Sequence, residues 1–149
     1  MDITNLSERP CAFHGAAYLG GYVYCVGGID QMLVDTNSLR KFDLSTRTWQ
    51  EVAPMHYRRG NVSVTVLNGC IYAMGGYDGH TSLSSTAEVY TPHTNTWCNV
   101  SSMMTPRSSF GIEVVEDRLF VVGGFTGLDI SDCTTLQFSF TLADFIELF

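Results

Sequence analysis

Apolar residues in this chain gather in short runs, each bounded by glycine, proline, asparagine or threonine. The clearest window begins at Asn61. There "NVSVTVL" is rich in β-branched residues and predicts a strand, Asn68-Gly69 is a two-residue hairpin turn, and "CIYAMGG" predicts the returning strand. "YDGHTSL" reads as a loop and "SSTAEVY" as a third strand. "TPHTN" reads as a turn in which Pro92 ends the pairing, and "TWCNVSSM" as a fourth strand. The window thus predicts an antiparallel sheet of four strands. Its second strand does not alternate: Cys70, Ile71, Tyr72, Ala73 and Met74 are all compatible with burial, as expected of a sheet covered on both faces.

The same pattern returns along the chain. Gly27-Gly28, Gly75-Gly76 and Gly123-Gly124 are 48 residues apart each time. Tyr24, Tyr72 and Phe120 precede the pairs. Phe42 and Tyr90, Trp49 and Trp97, Met55 and Met103, and Arg59 and Arg107 shift by the same interval. Four-stranded units of this period, covered on both sides, predict the blades of a β-propeller, so the expected fold class is all-β. The paired glycines read as structural, placed where backbones converge at the end of the second strand. Trp49 and Trp97 read as packing residues between blades, each with an indole N–H that needs a partner.

Composition adds limits. A chain of 149 residues that is 45% hydrophobic suffices for one domain with a sizeable core. Only 15% of residues are charged, the formal net charge is -7, and Lys41 is the only lysine, which disfavours nucleic-acid and anionic-membrane binding. "MDITNLSERP" has the character of neither a signal nor a transit peptide, and no apolar run approaches membrane-spanning length, so the expected location is cytoplasmic. The cysteines (Cys11, Cys25, Cys70, Cys98, Cys133) include no C-x-x-C pair, which argues against a disulfide framework and a zinc site. His14, His56, His80 and His93 show no metal-ligand spacing, and no nucleophile motif is present. No catalysis, metal or cofactor is expected. "NVS" at Asn61 and Asn99 matches the glycosylation pattern, with no chemistry attached in the absence of a secretory signal.

An apolar strand ending in Gly-Gly, the "YDGH" loop, the aromatic of "EVY", then Trp97 and Met103 at fixed offsets resemble the Kelch repeats. The likeness is strongest from Cys11 to Gly127 and implies a partial propeller of about three blades. The expected divisions are 1–8 as a remnant of a preceding blade, repeats at 9–56 and 57–104, and 105–149 as a repeat with a degenerate second half. Phe138 and Phe145 stand where an aromatic and a tryptophan are due, and the tail from Leu128 is either a degenerate blade or an unrelated ending. Kelch domains of the adaptor group usually close with six blades, so an arc of three is expected to leave open faces lined by Tyr72, Met74 and Val121.

In such a blade, the turns joining strands one to two and three to four lie on one rim. The second-to-third loop and the blade-to-blade connection lie on the other. Arg9, Arg58, Arg59 and Arg107 fall in the connections and suit carboxylate capture, while Arg47 and Arg118 fall on the opposite rim. The alternative is that these arginines pair with Asp30, Asp35, Asp78, Asp129 and Asp132 in the adjacent loops. The Kelch resemblance further implies peptide contacts from the residue after Gly-Gly, from the loop beyond it, and from the position after the connection arginine. These are Tyr77, Phe125 and Ile29; Ser82; and Ser108 and Gly60, beside Arg59 and Arg107. It implies a protein or peptide substrate presented to a cullin-RING ubiquitin ligase. Cullin contact falls to BTB and BACK regions absent from this sequence. The rival expectation is an actin-binding or cytoskeletal scaffold.

Overall fold

The computed structural model describes residues 11–79, 82–127 and 135–138. The expected remnant at 1–8, Arg9, His80, Asp129, Asp132 and Phe145 lie outside them. The described strands are β1 (Gly15–Leu19), β2 (Tyr22–Val26), β3 (Leu39–Asp43), β4 (Thr48–Val52), β5 (Ser63–Leu67), β6 (Cys70–Met74), β7 (Ala87–Thr91), β8 (Thr96–Val100), β9 (Gly111–Val115), β10 (Arg118–Val122) and β11 (Thr135–Phe138). They form three antiparallel sheets, β1-β2-β3-β4, β5-β6-β7-β8 and β9-β10-β11, and no helix occurs among the described residues. β1 lies against β5 and β5 against β9, so the blades converge on their first strands.

The hairpin at Asn68-Gly69 has both residues left-handed, with φ of 49° and 73°, which matches the strand twist. β11 gives the last sheet a third strand within the stretch read as degenerate. Its register pairs Val121 with Leu136 and Leu119 with Phe138, as β6 pairs Ala73 with Glu88 and Ile71 with Tyr90. Phe138 therefore stands at the backbone position of Tyr90.

The core is divided between two seams. Tyr24, Val26, Leu39, Met55, Val62, Ile71, Ala73, Tyr90 and Trp97 pack between the first and second blades. Leu67, Tyr72, Met74, Val89, Met103, Phe110, Leu119 and Val121 pack between the second and third. This corrects the expectation that Tyr72, Met74 and Val121 line open faces: β6 is buried on both sides, and Val121 points back into the second seam. The more exposed apolar strand residues of the third blade are Val115 and Val122. Trp97 is buried against the preceding blade, and its indole N–H donates to the Ala53 carbonyl at 2.8 Å. Trp49 is half-buried, stacked at a tilt on Phe42.

The paired glycines answer to two different neighbours. A Cβ on Gly27 or Gly75 would strike the Arg59 or Arg107 carbonyl of the following blade. One on Gly28 or Gly76 would stand 2.6 or 2.5 Å from the Ala12 or Gly60 carbonyl of its own blade's connection. The pair also runs through left-handed φ, 63° and 88° at Gly75 and Gly76, which L side chains rarely adopt.

Candidate functional site

The rim carrying the second-to-third loops is organised by backbone bridges. Gly60 and Tyr77 exchange N–H···O bonds of 3.0 and 2.7 Å, and Ser108 and Phe125 do so at 3.1 and 2.9 Å. Tyr77 also bridges to Leu83, and the Asp78 amide donates to the Ser82 carbonyl at 3.1 Å. Gly60, Tyr77 and Ser82 are thereby brought together in the second blade, and Ser108 and Phe125 in the third. The Gly76 amide joins the two by donating to the Arg107 carbonyl at 2.8 Å. Tyr77 and Phe125 are half-buried and Ser82 is exposed, whereas Gly60 and Ser108 are buried beneath the loops.

The connection arginines do not face this surface. Arg59 is 0% exposed. Its Nη1 donates to the Gly75 and Thr86 carbonyls at 2.8 and 2.9 Å, and its Nη2 and Nε donate to Glu88 Oε2 at 3.1 and 3.2 Å. Glu88 is equally buried, and its other oxygen accepts from the His56 amide at 2.7 Å. Burial pulls the Arg59 pKa below its usual value, against the opposing pull of the Glu88 carboxylate. Arg107 is also buried and donates to the Gly123 carbonyl at 2.7 Å. The expectation that Arg59 and Arg107 meet a ligand's acids is corrected accordingly: both are braces. They sit on the surface-loop side of the sequence pattern, yet their guanidiniums turn inward to tie carbonyls at the Gly-Gly corner.

Arg58 is the exposed connection arginine in the second blade. It stabilises the charge of Asp35, whose carboxyl is nevertheless raised above the ordinary aspartate range by burial and, less, by Asp78; the Gly79 amide opposes the shift. Arg58 thus lies within electrostatic reach of the rim acid Asp35.

Three features escaped the sequence reading. The first blade's loop exposes Met32 and Leu33, at 84% and 85%, beside Val34. Its shape is held from within, because Asp30 Oδ1 accepts from the Met32 and Val34 amides at 2.8 and 3.0 Å and Leu33 takes a left-handed φ of 61°. This apolar tip sits on the same rim as Tyr77, Ser82 and Phe125. The signal was visible as "QMLV" where the second repeat has "GHTS". The second feature lies next to the axis. Phe13, Asn61 and Ser109, again 48 apart, have left-handed φ of 54°, 53° and 53°. The Asn61 amide donates to the Phe13 carbonyl at 2.9 Å and the Ser109 amide to the Asn61 carbonyl at 3.2 Å, linking successive blades. All three line a shallow groove of about 340 Å³ with Ala16, Val64 and Ile112.

On the face of the first blade turned away from the second, Cys11, His14 and Cys25 converge. Cys11 Sγ lies 3.5 Å from both Cys25 Sγ and His14 Nδ1, and Arg40 Nη2 donates to Cys11 Sγ at 3.0 Å. Burial, then the hydrogen bond with Cys11, pushes the Cys25 thiol up to about 12. Cys11-x-x-His14 is a ligand-type spacing that a search for C-x-x-C pairs passes over.

No helix among the described residues is long and apolar enough to cross a membrane. The Kelch motif, as a family profile, matches residues 10–56 and 58–104, well over half of the chain.

Proposed function

The chain belongs to the Kelch-repeat family, and on that premise we propose that it is a protein-binding module whose ligand docks on the rim of the second-to-third loops. Within the family we read it as the substrate-recognition part of a BTB, BACK and Kelch adaptor for a cullin-RING ubiquitin ligase, on stretches such as "VSVTVLNGCIYAMGGYDG" that resemble the tenth member of the Kelch-like group. On that reading cullin contact is a task for BTB and BACK regions and not for the Kelch repeats described above.

The observation that carries the reading is the preorganised apolar tip at Met32 and Leu33, exposed on the rim that also bears Tyr77, Ser82 and Phe125. An apolar loop held in shape by its own aspartate loses little entropy on docking, and the half-buried aromatic Tyr77 on the same rim supplies contact area. The ligand is therefore a protein segment with an apolar anchor, with polar contact from Ser82; Arg59 and Arg107 act only by shaping the rim.

The test is an affinity series with a partner captured by the full-length protein, each variant's melting temperature being checked first. Leu33→Asp and Tyr77→Ala are expected to weaken binding by about 2 kcal/mol each at an unchanged melt. Arg47→Glu and Arg118→Glu, on the opposite rim, are expected to change little. Equal losses from both rims overturn the assignment of the face. Co-sedimentation with actin filaments through the same residues replaces the adaptor reading with the cytoskeletal one.

A further inference from the structure

We propose that Cys11, His14 and Cys25 form a binding site for a single zinc-class ion, which pins the start of the first blade to its second strand.

The three donor atoms all lie within 4.8 Å of one another. A tetrahedral zinc ion, with Zn–S near 2.3 Å and Zn–N near 2.0–2.1 Å, holds neighbouring donors about 3.5–3.8 Å apart. The Cys11–Cys25 and Cys11–His14 separations, both 3.5 Å, already meet that spacing. Two sulfurs and an imidazole suit a soft d10 ion better than calcium or magnesium. Coordination releases both thiol protons and leaves a centre with no net charge, so Arg40 is not repelled. Its guanidinium at 3.0 Å from Cys11 Sγ becomes an outer hydrogen bond to a thiolate ligand. Three protein donors leave the fourth tetrahedral position open.

The repeat register gives this cluster its meaning. Shifted by 48, Cys11, Cys25 and Arg40 become Arg59, Ala73 and Glu88. In the second blade, therefore, the connection is tied down by the Arg59–Glu88 pair, and in the first blade that pair is replaced. Cys11 and His14 come from the connection and Cys25 from β2, so an ion bridging them does there what the arginine does one repeat later.

Reduced protein, kept in a non-thiol reductant, is titrated with zinc against a chromophoric chelator and, separately, with cobalt(II). The expected result is one equivalent of zinc, a raised melting temperature that chelation reverses, and cobalt spectra showing tetrahedral d–d bands with thiolate charge transfer. Loss of a bound ligand should exceed the 10–100-fold affinity cost typical of removing an outer-sphere partner. Cys11→Ser and His14→Ala are thus expected to weaken binding by more than about 100-fold. Cys98→Ser, at an exposed cysteine elsewhere, is expected to leave it unchanged. Because Cys25 is buried, the test rests on Cys11 and on exposed His14, with circular dichroism verifying strand content. No uptake at micromolar zinc overturns the proposal, as does uptake that survives Cys11→Ser or a Cys11–Cys25 disulfide as the cluster's sole modification.

Discussion

Arg59 and Arg107 occupy the same place in successive repeats, yet their surroundings differ. Each donates Nη1 to the carbonyl of the first glycine of its pair, Gly75 or Gly123. Among the described residues, Arg59 meets a carboxylate and Arg107 does not. The backbone position of Glu88 is taken in the third sheet by Leu136, and Arg107 Nε has no hydrogen-bond partner among the described residues. The carbonyl tie is therefore the shared duty of the arginine, and the ion pair is an addition at one seam. A buried charge pair is fragile when halved, because the surviving charge stays desolvated.

That contrast ranks the expected effects. Glu88→Ala strands the Arg59 guanidinium and is expected to cost about 3–5 kcal/mol in denaturant unfolding, with Arg59→Met/Glu88→Leu recovering much of the loss. If the double variant is as unstable as the single one, the pair adds more than the contrast allows. Arg107→Met removes one carbonyl bond and relieves an unpartnered N–H, so its expected cost is smaller, about 1–2 kcal/mol. A loss equal to that of Glu88→Ala would erase the difference between the seams.

The smallest effect separates the outer turns of the first two blades. Asp43 accepts from the Ser45 amide and hydroxyl at 2.7 and 2.6 Å and from the Thr46 amide at 3.2 Å, while the second blade has Thr91 at that position. The Ser45 hydroxyl and amide, then the Thr46 amide, hold the Asp43 carboxyl below its ordinary value of 3.8. A depressed carboxylate contributes its stability above the unfolded pKa and loses it as pH falls through the folded one. Melting temperatures of the parent and of Asp43→Asn, followed from about pH 5 to about pH 2, are expected to converge at the acid end. A constant gap would assign the turn's stability to shape and not to charge.

The blades were legible in the sequence because their markers are periodic and chemically narrow: two glycines hemmed by two carbonyls, and an aromatic facing a tryptophan. The direction of the connection arginines was not. Arg59 sits in a polar stretch, and its burial depends on Glu88, which only the sheet register brings to it. The hint was the acid itself, set between Ala87 and Val89 in a strand otherwise fit for a core. Likewise Cys11 and His14 are near in sequence, but Cys25 joins them through the fold.

The left-handed trio at Phe13, Asn61 and Ser109 has a bearing on how such an arc diversifies. At these three positions the link from blade to blade is made by backbone amides and carbonyls, so the side chain there is released from making it. A phenylalanine, an amide and a hydroxyl already occupy the three equivalent places. The lining of the axial groove is thus an alphabet restricted by one rule, tolerance of a left-handed backbone, and within that rule its letters can be rewritten one blade at a time.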